Sequence, residues 1–163
     1  LAWSADKVGA MRNQVYVMGR FDLRPGEAFV VDVSDGGAEY FTVPLSNIWG
    51  TTLDIVDHTG SLNKAQSTPN DDGSYTYVIA PTDPGVANWI DSDGLLEGIL
   101  TLRMAEFGGN GPAPDLGARG RVVELDELER AVPGLRRVSA SERAVELAGR
   151  RAAYLRRLPE GTH

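Results

Sequence analysis

The sequence predicts a mainly β protein: an antiparallel β-sandwich of jelly-roll type, with an N-terminal helix and a C-terminal helical arm. Three observations carry this. Between about residues 20 and 107, short runs of alternating apolar and polar residues recur between turn signals. Residues 108–120 (GGNGPAPDLGARG) are too rich in Gly and Pro for a regular element. Beyond them the apolar spacing changes from two to the three-and-four rhythm of helices.

The elements follow in chain order. Ser4 is placed to cap a helix carrying Val8, Met11 and Val15, although Val15-Tyr16-Val17 also reads as the start of a strand. Strands are expected over residues 27–33, after the turn pair Pro25-Gly26, and over 39–48, after Asp35-Gly36-Gly37, a hairpin signal. β-Branched residues continue through 49–55. Further strands are expected over 74–80, after Asn70-Asp71-Asp72-Gly73, and within 95–107, where Gly98 marks a bulge. Pro44 inside a strand-like run points to an edge or a bulge. Leu125, Leu128 and Val132 have helical spacing, which Pro133-Gly134 ends. Ser139 and Glu142 have the spacing of a capping box, opening a helix that runs to about Leu158 before Pro159. Its apolar stripe is Val145, Ala148, Ala152 and Leu155. The chain thus divides into an N-terminal segment (1–19), a β core (20–107), a linker (108–120) and a helical arm (121–163).

Composition excludes several classes. The 163 residues include no Cys, which removes disulfides, thiolate catalysis and cysteine metal sites. Two His, at 58 and 163, leave no multi-histidine site, and no metal or cofactor is expected. No apolar run approaches membrane-spanning length, and no membrane partner is expected. Residues 1–110 carry a net charge of −9 and residues 111–163 a net of +2. Such an acidic body argues against a nucleic-acid partner, whose phosphates need cationic neutralisation. Arg143, Arg150 and Arg157 recur every seven residues along one helical stripe; the acidic body is a nearer partner than a nucleic acid, and the tail either lies against it or stays solvated. The opening LAWSADKVGAM does not read as a signal peptide; it reads as the start of the C-terminal part of a larger protein, with compartment left open.

Three blocks carry a family resemblance: YFTVPLSNIW (40–49), SLNKAQ (61–66) and DPGVANWIDSDGLLEGILTLR (83–103), together with GEAFVV (26–31). Over roughly residues 15–107 the chain resembles the bacterial domain of unknown function 1214, the usual C-terminal partner of the family numbered 1254. The resemblance implies a sandwich or jelly-roll fold and an upstream domain as partner. It implies no catalytic residue.

Two polar clusters are candidates for ligand binding. Asp83, Asn88, Trp89 and Asp91 form either a polar pocket floored by an indole or a corner that anchors Trp89 in the core. Asn47, Trp49, Asp54, Ser61 and Asn63 form either a face suited to a carbohydrate or a network that holds the loop. On a strand, the spacing of Asn47 and Trp49 puts both on one face. Arg103, which closes the third block, joins these candidates. His58 with Ser61 matches no nucleophile elbow and reads as an exposed turn histidine. Asp91-Ser92-Asp93-Gly94 lacks the later ligands of a calcium loop and reads as a turn. Among Asp54, Asp83, Asp91, Asp93 and Glu97, spacing puts no two carboxylates face to face.

Three functions stay open on the residues. The first is non-catalytic binding of a polar ligand or glycan. The second is a hydrolase or lyase with an Asp acid–base pair acting on a carbohydrate-like substrate. The third is a structural or assembly domain. The arm's apolar stripe needs a cover: this domain, the upstream domain, or another copy in a homo-oligomer.

Overall fold

The computed structural model describes residues 2–4, 13–109 and 111–157. Among the described residues nine strands form two sheets. β1 (Ala2–Ser4), β2 (Gln14–Asp22), β4 (Tyr40–Ser46), β5 (Ser61–Asn63) and β8 (Glu97–Ala105) make one, in the order β1-β2-β8-β4-β5. β3 (Glu27–Ser34), β6 (Tyr75–Ala80), β7 (Trp89–Asp91) and β9 (Gly117–Glu124) make the other, in the order β7-β6-β3-β9. All pairs are antiparallel except β6 with β7.

Period-two alternation sets the layers. Val15, Val17 and Phe21 of β2, Phe41, Val43 and Leu45 of β4, and Leu100, Leu102 and Met104 of β8 point toward the other sheet. Phe29, Val31 and Val33 of β3 and Tyr75, Tyr77 and Ile79 of β6 meet them, making one shared core. The second sheet is also covered on its outer face. Ala28, Val30, Val78, Ala80 and Trp89 pack under Leu128 and Val132. That double cover explains why every residue of β6 is buried.

The helical arm consists of a 3₁₀ turn (Leu125–Glu127) leading into α1 (Leu128–Ala131), then α2 (Ala140–Leu155). The capping box opens α2: Ser139 Oγ accepts from Glu142 N (3.2 Å), and Ser139 N donates to Glu142 Oε2 (2.8 Å). Among the described residues no helix is long and apolar enough to cross a membrane.

The structure corrects several expectations. The N-terminal helix falls mostly on residues 5–12, outside the described residues; its two described ends, Ala2–Ser4 and Gln14 onward, are strand. The linker and the arm are shorter than expected, because β9 occupies Gly117–Glu124 and pairs with β3 along its whole length. Gly120 is what permits this: a Cβ there would lie 2.4 Å from Phe29 Cζ, so only glycine lets the ring lie across the strand. Gly98 does the same for Phe21 and marks no bulge, since the β2–β8 register runs unbroken from Gln14↔Ala105 to Asp22↔Glu97. Pro44 lies in a strand flanked on both sides, and the β4–β8 ladder skips 43 and 44, where proline has no N–H to give. The Asp35-Gly36-Gly37 turn makes no hairpin. It passes the chain between sheets, and Ala113 N donates to Gly36 O beneath it. Residues 49–55 form a loop with one isolated bridge, Ser46↔Thr52. α2 ends at Leu155; Leu158 and Pro159 lie outside the described residues.

α2 also docks with the opposite face from the one expected. Arg143 is buried, while Leu147 and Arg150 are half-buried. Val145, Ala148, Ala152 and Leu155 face solvent, with Val145 73% exposed.

Candidate functional site

The segment from Asp83 to Asp91 is the pivot between sheet and helix. Asp83 Oδ1 accepts from Gly85 N (2.8 Å), closing a tight turn at Pro84-Gly85. Val138 N donates to Gly85 O and Ala87 N donates to Arg136 O, which ties the arm's connector to this corner. The corner delivers Trp89 onto β6. There its indole is buried, and Nε1 donates to Ala80 O (3.0 Å).

Arg143 locks α2 over that indole. Its guanidinium lies 5.1 Å from the Trp89 ring centre. Nε donates to Asp83 (3.0 Å), Nη1 to Glu146 (2.6 Å) and Nη2 to Val86 O (2.7 Å). One helical turn pair further on, Arg150 donates to Ile55 O (2.9 Å) and Ser61 O (2.7 Å), and burial pulls its pKa below the usual arginine range. Arg151 pairs with Asp57. A helix held by charge in this way leaves a cleft of about 490 Å³ along one flank. Gln66, Thr68, Arg136, Glu142 and Glu146 line it with polar side chains, beside Asn88. Arg136 remains more than half exposed there, 3.7 Å from Glu142.

The structure does not gather the sequence candidates on one face. Asn88, at the cleft, is buried in the left-handed region (φ +54), and its carboxamide is fully engaged. It accepts from Thr68 N (2.7 Å) and donates to Thr68 O (2.7 Å) and Thr76 O (3.1 Å). Asn63 caps the 3₁₀ turn Lys64–Gln66 through a reciprocal box with Gln66. The strand pairing expected of Asn47 and Trp49 fails because β4 ends at Ser46. Asn47 Oδ1 instead accepts from Trp49 N and Thr51 N, both at 3.0 Å, and Trp49 stands 83% exposed on that turn. Arg103 lies across β2, donating to Gln14 Oε1 (3.0 Å).

A second polar cluster surrounds His58. Nδ1 lies 2.7 Å from Asp91 and Nε2 lies 3.6 Å from Asp93. The Asp91 hydrogen bond raises the imidazole pKa above its ordinary value, assisted by the charges of Asp91, Asp93 and Asp54. Asp54 is held below the carboxylate range by the N–H groups of Val56 (2.7 Å) and Asp57 (3.2 Å). Ser61 Oγ sits 3.5 Å from Thr42 Oγ1, while the His58 ring nitrogens are aimed at Asp91 and Asp93. Asp93 and Gly94 form the expected turn, both with positive φ. Among the described residues no group of three or more metal-ligating side chains occurs.

Of the cleft, only Asn88 was among the sequence candidates. Glu142 was visible only as a helix cap and Gln66 only within the SLNKAQ block, and Arg136 and Thr68 carry no signal beyond polarity, because a connector, a 3₁₀ turn and a helix cap meet there only in three dimensions. Of the three arginines spaced by seven, Arg143 and Arg150 are held by the body, while Arg157 is exposed beyond the end of the helix.

No protein-family model and no curated protein matches the chain. Among solved structures it is similar to an uncharacterized protein from Burkholderia cenocepacia, with 35% identity and a TM-score of 0.64. The match covers 74% of this chain and 32% of that one, so this chain spans about a third of the length of its structural relative.

Proposed function

We propose that this domain is a non-catalytic binding module whose ligand seat is the cleft between α2 and the 66–88 segment. The cleft carries the reading: about 490 Å³, walled by donors and acceptors from three separate parts of the chain. Its ligand is a small polar molecule bearing hydroxyls, with an anionic group for Arg136. The enzyme alternative is weaker. Asp83 pairs with Arg143, Asp91 with His58, Glu97 with Arg20, and Asp54 with backbone N–H groups. Each carboxylate is already committed to a cation or an amide of the chain itself, and no two of them converge on a common point from which an acid–base pair could work.

In this reading the domain works beside another domain of a longer chain, as the resemblance to family 1214 implies. A jelly-roll relationship for the fold is supported by the β2–β8 and β3–β6 pairings, each joining strands distant in sequence; the parallel β6–β7 pair departs from it.

Thermal-shift screening with saccharides, polyols and hydroxy acids tests the seat. A ligand at about a hundred times its Kd adds about 2.7 kcal/mol of stability. The gain is expected to vanish in Arg136→Ala and Gln66→Ala and to persist in Trp49→Ala. Loss in Trp49→Ala with no change in the cleft variants would place the site on the exposed indole instead. No shift with any compound would reject the seat.

A further inference from the structure

We propose that α2 is the seam of a homodimer, two copies of this chain pairing their helices antiparallel. The proposal stands on α2 alone and does not require the cleft to hold a ligand.

The helix is inverted relative to an ordinary surface helix. Its charged stripe (Arg143, Arg150) is fixed to the body, and its apolar stripe looks outward, with Val145 73% and Leu155 48% exposed. The outward stripe is self-complementary. Val145 and Leu155 lie equally far from a midpoint between Ala148 and Ala152. Antiparallel pairing about that midpoint sets Val145 against Leu155 of the second copy and Ala148 against its Ala152. Large meets large at the ends, and alanines meet in the middle, where the backbones come closest.

Charge selects the same arrangement. The first half of α2 carries Glu142 and Glu146; the end carries Arg156 and Arg157, which have no ion-pair partner among the described residues. Glu142 and Arg156 are 14 residues apart, about four helical turns, so they flank the same side of the stripe. A two-fold axis through the midpoint keeps that side common to both copies, and each Glu142 then lies within about one turn of Arg156 of the second copy. Parallel pairing would instead set arginine beside arginine. A seam one helix long is smaller than a standard interface, so association is expected in the micromolar range or weaker.

Sedimentation velocity over a concentration series tests this on the full chain. A monomer–dimer equilibrium is expected. Val145→Glu and Arg156→Glu should each raise its Kd at least about tenfold, with circular dichroism unchanged because both positions are exposed. The chain has no cysteine. An Ala148→Cys/Ala152→Cys variant should therefore yield a covalent dimer on mild oxidation. A monomer at every concentration with no covalent dimer overturns the proposal, leaving the face for another segment or another protein. Association unaffected by Val145→Glu overturns it as well.

Discussion

Replacing Arg143 with alanine should release α2 from the body. The guanidinium is almost fully buried and makes three charge-assisted or carbonyl hydrogen bonds besides its contact with the Trp89 face. Hydrogen bonds involving a charged group contribute about 1.5–3 kcal/mol each, and breaking one side of a buried ion pair costs about 3–5 kcal/mol. Asp83 and Glu146 are 31% and 42% exposed, so water will solvate much of what they lose. Val86 O and the indole, beneath the helix, will recover less. The balance is about 3 kcal/mol, or roughly 6–12 °C in Tm for a chain of this size. Urea denaturation gives the first number. Hydrogen exchange gives the second test, since α2 amides should lose protection before those of β2 and β8. A loss under about 0.5 kcal/mol with α2 protection intact would refute the clamp.

Other residues give independent checks. Gly120→Ala should cost about 1–3 kcal/mol, because its Cβ would meet Phe29 Cζ at 2.4 Å, and urea denaturation measures it. Asn88→Ala should cost about 2–4 kcal/mol for three lost hydrogen bonds in a left-handed backbone; Asn88→Gly should cost about 1 kcal/mol less, as glycine relieves only the backbone part. His58 has a raised pKa in the folded chain, so its pairing stabilises fully below the ordinary value of about 6.5 and is lost as pH rises through the folded value. His58→Gln should therefore destabilise at pH 5.5 by up to about 1 kcal/mol and have little effect at pH 9, measured by denaturation at each pH.

The strands that lie fully within the sandwich were legible in the sequence. The 95–107 run alternates because only one face of β8 meets the core, whereas residues 27–33 and 74–80 read as near-continuous apolar runs because β3 and β6 are covered on both faces. The capping box at Ser139 was legible for the same kind of reason: both partners are local. Features set by distant partners were not. The Asp35-Gly36-Gly37 turn has hairpin chemistry, yet turn residues specify a reversal and not which sheet the next strand joins. β9 hid behind its glycines, whose purpose is visible only once Phe29 lies over Gly120. The periodicity of α2 revealed a helix and its apolar side. Which side docks was decided by Asp83, Val86 O and Trp89, some sixty residues away, which offer the arginine more than the core offers the alanines. The candidate amides and carboxylates formed two clusters in the sequence, each readable as a ligand face or as a network that holds a corner or loop; in the fold most of them hold turns.

The orientation of α2 underlies the clamp, the cleft and the seam alike, and thiol labelling reads it directly. In dilute solution, where pairing is dissociated, Val145→Cys should react with a maleimide at close to the rate of a free thiol, and Leu147→Cys should react markedly more slowly. The reverse order, with position 145 protected and 147 open, would show the helix docked by its apolar stripe and would contradict the account.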